Sequence, residues 1–393
     1  MAAYYILRPL RDGLASDWSD AEVSFLWTIN FFASSLAVAI YGWVVARVRL
    51  RHLVPMVYGF FSVSFLLFYV GMWNGAIHPL WVDKSFYVWV SLFSLFNVSV
   101  FWSFVADLYT KSQAKRLFPI IGAGASAGAL LGPIVPTLLI DWTGTYNLLL
   151  ISAVLLLLGL PLSISLQRLQ EKNLNSSHSS SKQDYVIGGN PFSGFRDFIK
   201  NGYLLNIGLF IVLYTAVASF VYFQQKNLLE PYDLEQRTRF LGAVDWIVNA
   251  LTFFIAFFAT GRIVHYFGMP VALSSIPWAM SGGLLLLAAT PVVWAVLLLQ
   301  VIRRAGNYAI TRPSREMLFT SVTREERFKA KPVIDIVAYR GGDMVTSWGF
   351  AAFTEGFGWT LSSLAVIGAL LAAIWGLVGL FLGGRFNHQQ ERS

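Results

Sequence analysis

Leu148-Leu-Leu-Ile-Ser-Ala-Val-Leu-Leu-Leu-Leu-Gly-Leu-Pro-Leu-Ser-Ile-Ser-Leu166 runs for nineteen residues without a charge. Coiled at 1.5 Å per residue, it covers about 30 Å, the hydrocarbon thickness of a bilayer. Uncharged or nearly uncharged runs of similar length recur on both sides of it. Residues 23–46, 53–72, 86–106 and 117–140 precede it; 201–225, 240–260, 267–302 and 361–384 follow, with a more polar span at 331–354. Residues 267–302 are long enough for two spans, turning near Ala289-Thr290-Pro291. The reading is an all-α polytopic membrane protein with about eleven full spans and no sheet.

Composition points the same way. Hydrophobic residues make up 56% of the 393, charged residues 13%, and mean hydropathy is +0.59. Soluble domains carry about 25% charged residues, so this chain needs lipid to cover it. There are no cysteines, which excludes disulfides, thiol chemistry and Cys-ligated metals. The histidines, at 52, 78, 178, 265 and 388, show no i, i+4 pairing, so neither a metal nor a cofactor is expected. No site for an enzyme stands out either: intramembrane transferase chemistry needs paired carboxylates or a metal at one membrane face.

The net charge of +8 is an orientation signal rather than a mark of nucleic acid. With the spans numbered from 2, loops 2–3, 4–5, 6–7, 8–9 and 10–11 plus the tail hold 20 of the 29 Lys and Arg residues. The opposite side holds Arg8, Arg11, Lys84, Lys226, Arg237 and Arg239. This alternation obeys the positive-inside rule and makes the basic loops cytoplasmic. The longest of them, residues 168–200, contains a Ser-rich low-complexity run that reads as a flexible linker. It separates an N-terminal half, 1–167, from a C-terminal half, 201–384, with a cytoplasmic tail at 385–393.

The halves repeat. A shift of about 215 residues lays Arg47 and Pro55 on Arg262 and Pro270, and Ala114-Lys-Arg116 on Lys329-Ala-Lys331. Two parallel six-helix halves joined by a cytoplasmic linker are the arrangement of major facilitator transporters. The same shift sets Met1 on Ala216, so most of the first helix is expected to be missing. A mis-called start or a truncation accounts for that more simply than an eleven-helix design.

Charge inside the bilayer is where function is expected. Arg303 and Arg304 fall about 16 Å along span 10, with Asn307 and Tyr308 close by. Guanidinium groups there suit phosphate or carboxylate, or else pair with acids for packing. Span 11 carries Asp335, Arg340 and Asp343, the last two sharing a helical face across Gly341-Gly342. Asp245 is an isolated acid in span 8, a candidate proton or cation site. Arg8 and Arg11 share a face of the N-terminal helix beside Tyr4 and Tyr5, which suits a basic, aromatic cavity rim or ordinary interfacial anchoring. Arg47, Arg262 and Asp107 lie where a cytoplasmic gating network belongs. Gly122-Ala-Gly-Ala-Ser-Ala-Gly128 reads as a helix-packing face.

Three stretches resemble the ATP/ADP translocase family of nucleotide antiporters. They are Tyr5-Ile-Leu-Arg-Pro-Leu-Arg-Asp12, then Phe101-Trp-Ser-Phe104 with Ala114 to Ala125, and Arg312-Pro-Ser-Arg-Glu-Met-Leu-Phe-Thr320 continuing to Tyr339-Arg-Gly-Gly-Asp343. The resemblance implies exchange of a phosphorylated anion such as ATP or ADP by alternating access. Its competitor is a proton-coupled major facilitator porter of another small metabolite or drug-like molecule, working through Asp245 or Asp343. Either way the expected protein is a monomer in a bilayer, the bacterial inner membrane, with a small molecule and no nucleic acid as cargo.

Overall fold

The computed structural model describes residues 1–45, 50–74, 79–108, 121–122, 124–174, 201–258, 260–321 and 338–390. Its elements are helical: α1 Ala2–Leu14, α2 Asp20–Val45, α3 Leu50–Asn74, α4 Pro79–Leu108, α5 Gly124–Leu138, α6 Asn147–Leu174, α7 Gly202–Leu229, α8 Leu234–Phe258, α9 Thr260–Ala289, α10 Val293–Gly306, α11 Tyr339–Ala351 and α12 Leu361–Gln390. Among the described residues, six helices are long and apolar enough to cross a membrane. Their apolar stretches are Val54–Met72, Asn147–Leu166, Gly202–Leu229, Leu234–Ile255, Tyr266–Ala289 and Leu361–His388. Large apolar side chains such as Leu67, Leu162, Leu286 and Leu370 stand exposed on them, as a lipid-facing surface requires.

Helix ends follow local chemistry. Ser19 and Glu22 bond reciprocally to each other's backbone N–H, at 3.1 and 2.9 Å, and start α2 with a capping box. Asn201 caps α7, its side-chain oxygen accepting from Tyr203 and Leu204. Thr290-Pro291 separates α9 from α10, at the turn expected from the sequence. After α10 the chain makes one π-helical turn, Asn307–Thr311, and continues as a short helix, Arg312–Leu318. Pro313 explains it: proline lacks an N–H and its ring crowds the carbonyl four residues back, at Ala309. A second π-helical turn, Ala352–Gly356, closes α11.

Two compact units form. The first contains Met1–Ala15, Ile29–Ile187 and Tyr232–Trp246; the second contains Ser16–Thr28, Gly188–Pro231 and Ile247–Ser393. Each unit thus takes in a short segment from the other half of the sequence. In the first, α1 is buried through Ile6, Leu7 and Leu10. α5 reaches it closely at Gly132, where a Cβ would lie 2.8 Å from the carbonyl of Ala2. Of the small residues read from the sequence as a packing face, Gly128 also approaches Ala2, while Gly122 and Gly124 face open space; Gly132 lies just beyond that run. In the second unit, α7, α9 and α12 enclose a core that includes Phe210, Leu273, Leu284 and Trp375.

Some sequence boundaries differ from the helices. α6 runs to Leu174, beyond residue 167, and α12 runs to Gln390, beyond 384. The rest of the expected linker, residues 175–200, lies outside the described residues. Asp335 and the repeated basic motifs at 114–116 and 329–331 also lie outside them.

Candidate substrate site

The second unit gathers polar groups at the end of α10. Arg303 and Arg304 are 8% and 6% exposed. Arg303 Nη2 donates to Gln300 Oε1 at 2.6 Å, one helical turn back, and its buried Nε has no hydrogen-bond partner. A buried guanidinium normally holds a carboxylate or several acceptors; this one holds a neutral amide. Asn307, one turn further on, donates from Nδ2 to the Tyr214 hydroxyl on α7 at 3.1 Å. Tyr214 in turn packs against Tyr339 of α11 and Trp375 of α12, with ring centroids 5.9 and 5.5 Å apart.

α11 supplies the remaining charges. Arg340 and Asp343 are partly exposed, and the charges of Arg340 and Arg303 both act on Asp343. Among the described residues no contact ion pair closes between these groups. Gly342 rather than Gly341 makes the close helix approach, since a Cβ there would collide with the Thr215 hydroxyl. On the continuation of α10, Glu316 accepts from neighbouring Arg315 at 3.1 Å.

The first unit holds a different arrangement. Arg11 donates to Asp12 through Nε and Nη2, at 2.9 and 2.6 Å, and to Ser91 at 3.1 Å, and it lies over the Tyr87 ring at 5.3 Å. Arg8 sits 3.6 Å from Asp12 and 3.6 Å from Asp245 of α8. Asp245, isolated in the sequence, is therefore not isolated in the fold. Two arginines and two aspartates compensate one another here, with Arg11 over an aromatic ring. Of the expected gating set, Arg47 lies outside the described residues, Asp107 falls within α4, and Arg262 is exposed on α9.

Sequence reasoning missed a second buried charge centre, in the second unit. Asp20 accepts from Lys226 Nζ at 2.8 Å, from Asn227 Nδ2 at 3.0 Å and from Thr354 Oγ1 at 2.9 Å. Glu355 accepts from the Ala21 backbone N–H at 3.0 Å, at the positive end of α2. Lys226, read from the sequence as an orientation charge, is 4% exposed. The only sequence signal was the capping box that marks the helix start beside Asp20.

Comparison with known proteins fits this architecture. Three solved structures share the fold across nearly the whole chain. A bacterial homologue of the human lysosomal transporter Spinster, inward-facing and unoccupied, has TM-score 0.63 at 14% identity, covering 99% of this chain and 95% of that one. The nucleoside transporter NupG has TM-score 0.64 at 12% identity, covering 97% and 98%. A bacterial homologue of the iron transporter ferroportin, inward-facing, has TM-score 0.62 at 13% identity, covering 97% and 94%.

By sequence, ADP,ATP carrier protein 1 of Chlamydia pneumoniae is 22% identical over 344 residues, 76% of this chain and 66% of its own length. Its namesake from Chlamydia trachomatis serovar D is 22% identical over 370 residues, 79% and 67%. The chain thus spans about two thirds of the curated relatives it matches. The profile of the Major Facilitator Superfamily matches residues 1–330. Long apolar helices, a transporter fold and that match agree on one conclusion: this chain is an integral, multi-pass membrane protein of the Major Facilitator Superfamily, a secondary transporter.

Proposed function

We propose that the protein exchanges a phosphorylated anion such as ATP or ADP across its membrane by alternating access, with Arg303, Arg304, Asn307, Arg340 and Asp343 lining the substrate site. One observation carries the reading: Arg303 is a buried cation whose hydrogen-bonding partner is a neutral amide and whose Nε has none. Holding it so costs free energy in the empty protein, and a bound oxyanion would recover that cost through charge-assisted bonds. The similarity to carriers named for ADP and ATP supports the cargo class. Proton coupling through Asp245 gains less support, because Arg8 already stands beside that carboxylate.

In this reading, residues 1–167 and 201–384 are the two halves that rock about the site, and 168–200 tether them. The Lys and Arg distribution supports a cytoplasmic tether and tail, in a setting such as the bacterial inner membrane. Arg8 and Arg11 are proposed as substrate-binding residues of the first unit, and Arg47, Arg262 and Asp107 as residues of the cytoplasmic gate.

The test is thermal stability of the purified protein with ATP, ADP, pyrophosphate, inorganic phosphate and simple carboxylates. A ligand at a hundredfold excess over its dissociation constant stabilises by about 2.7 kcal/mol. A rise in Tm with the phosphorylated anions is expected. No rise with any of them would remove the reading.

A further inference from the structure

Trp375 is the largest fully buried side chain of the second unit's core, and its indole Nε1–H has no hydrogen-bond partner. Buried tryptophan N–H groups normally find one, and each exception calls for an explanation. The ring lies between Phe210 and Tyr214, both centroids at 5.5 Å. Tyr214 accepts from Asn307 at the end of α10, and Arg303 lies one helical turn before that asparagine. Trp375, whose ring packs on Tyr214, and Arg303, one turn from the asparagine that bonds it, each keep one N–H without an acceptor. Neither side chain has an acceptor reserved for these N–H groups among the described residues.

We infer that Trp375 is a substrate-contacting residue, donating its indole N–H to an anionic oxygen of the ligand that Arg303 holds. This rests on the anion-site reading above and extends it to α12, on which the sequence marks no polar candidate. The two free N–H groups of Trp375 and Arg303 favour a ligand that brings acceptors to them. The oxygens of a phosphoryl group fit that requirement, and the positive charge of Arg303 favours them over a neutral carbonyl. The ordinary alternative is that a single structural water accepts from the indole.

The experiment replaces Trp375 with 3-benzothienylalanine, which keeps the ring shape and exchanges the N–H for sulfur. Trp375→Phe serves as the genetically encoded counterpart. Pyrophosphate and ATP are titrated into wild type and variants, read by thermal shift. The expected result is a ligand-free Tm equal to or above wild type, since an unsatisfied donor has been removed, with affinity for both probes weakened about tenfold or more. Unchanged affinity in the isostere would overturn the Trp375 assignment and leave the Arg303 site standing. A lowered ligand-free Tm with unchanged affinity would identify the structural water and overturn the assignment too. If wild type itself responds to neither probe, the anion site and this inference fall together.

Discussion

At the residue scale, the account turns on how a buried guanidinium is satisfied. Gln300 orients Arg303 without neutralising it, and the distinction can be tested by changing one atom. Gln300→Glu would place a carboxylate where the amide oxygen now accepts, creating an internal counter-ion. The expected outcome is a more heat-stable protein that binds pyrophosphate about tenfold more weakly or worse. Isothermal titration of pyrophosphate into the variant checks it; undiminished affinity would mean that Arg303 does not meet the ligand. Arg303 and Arg304 were legible in the sequence because intramembrane charge is rare. Gln300, Tyr214 and Trp375 were not, since buried amides and aromatics are ordinary in a hydrophobic run. Only their geometry singles them out.

At the element scale, α2, α7 and the end of α11 are joined through Asp20. Its carboxylate receives Lys226, Asn227 and Thr354, and Trp348 on α11 donates to Thr28 at 2.9 Å. Removing one member of a buried ion pair strands the other charge in a low-dielectric interior, at a cost of about 3–5 kcal/mol. Asp20→Asn should therefore lower stability by roughly that amount in denaturation measurements. Combining it with Lys226→Met, which removes the stranded charge, should recover a large part of the loss. An Asp20→Asn protein as stable as wild type would show that the pair carries no such weight. The sequence could not display this centre, because Asp20 and Lys226 lie 206 residues apart, and each alone resembles a loop charge. Arg8 and Asp245 escaped pairing for the same reason. What one dimension did display was the α9–α10 turn, set by Thr290-Pro291, since it depends on neighbours in the chain.

At the scale of the whole molecule, hydropathy and charge alternation pointed to a polytopic helical transporter before any packing was considered, because a bilayer constrains a chain locally. The shared folds and the superfamily match agree with that reading. Helix ends were less legible: α6 and α12 continue past the apolar runs, since polar residues extend a helix as readily as they end it. An exchanger built on a buried, partly satisfied arginine should cross its membrane poorly when empty, because the uncompensated charge must then traverse the low-dielectric core. The most direct measurement is uptake of labelled ATP into proteoliposomes that contain the purified protein, with and without ADP inside. The account predicts rapid uptake only when ADP is present inside, and its loss in Arg303→Gln protein that still reconstitutes and melts cooperatively. Uptake of ATP by the Arg303→Gln protein at wild-type rate and affinity would contradict it.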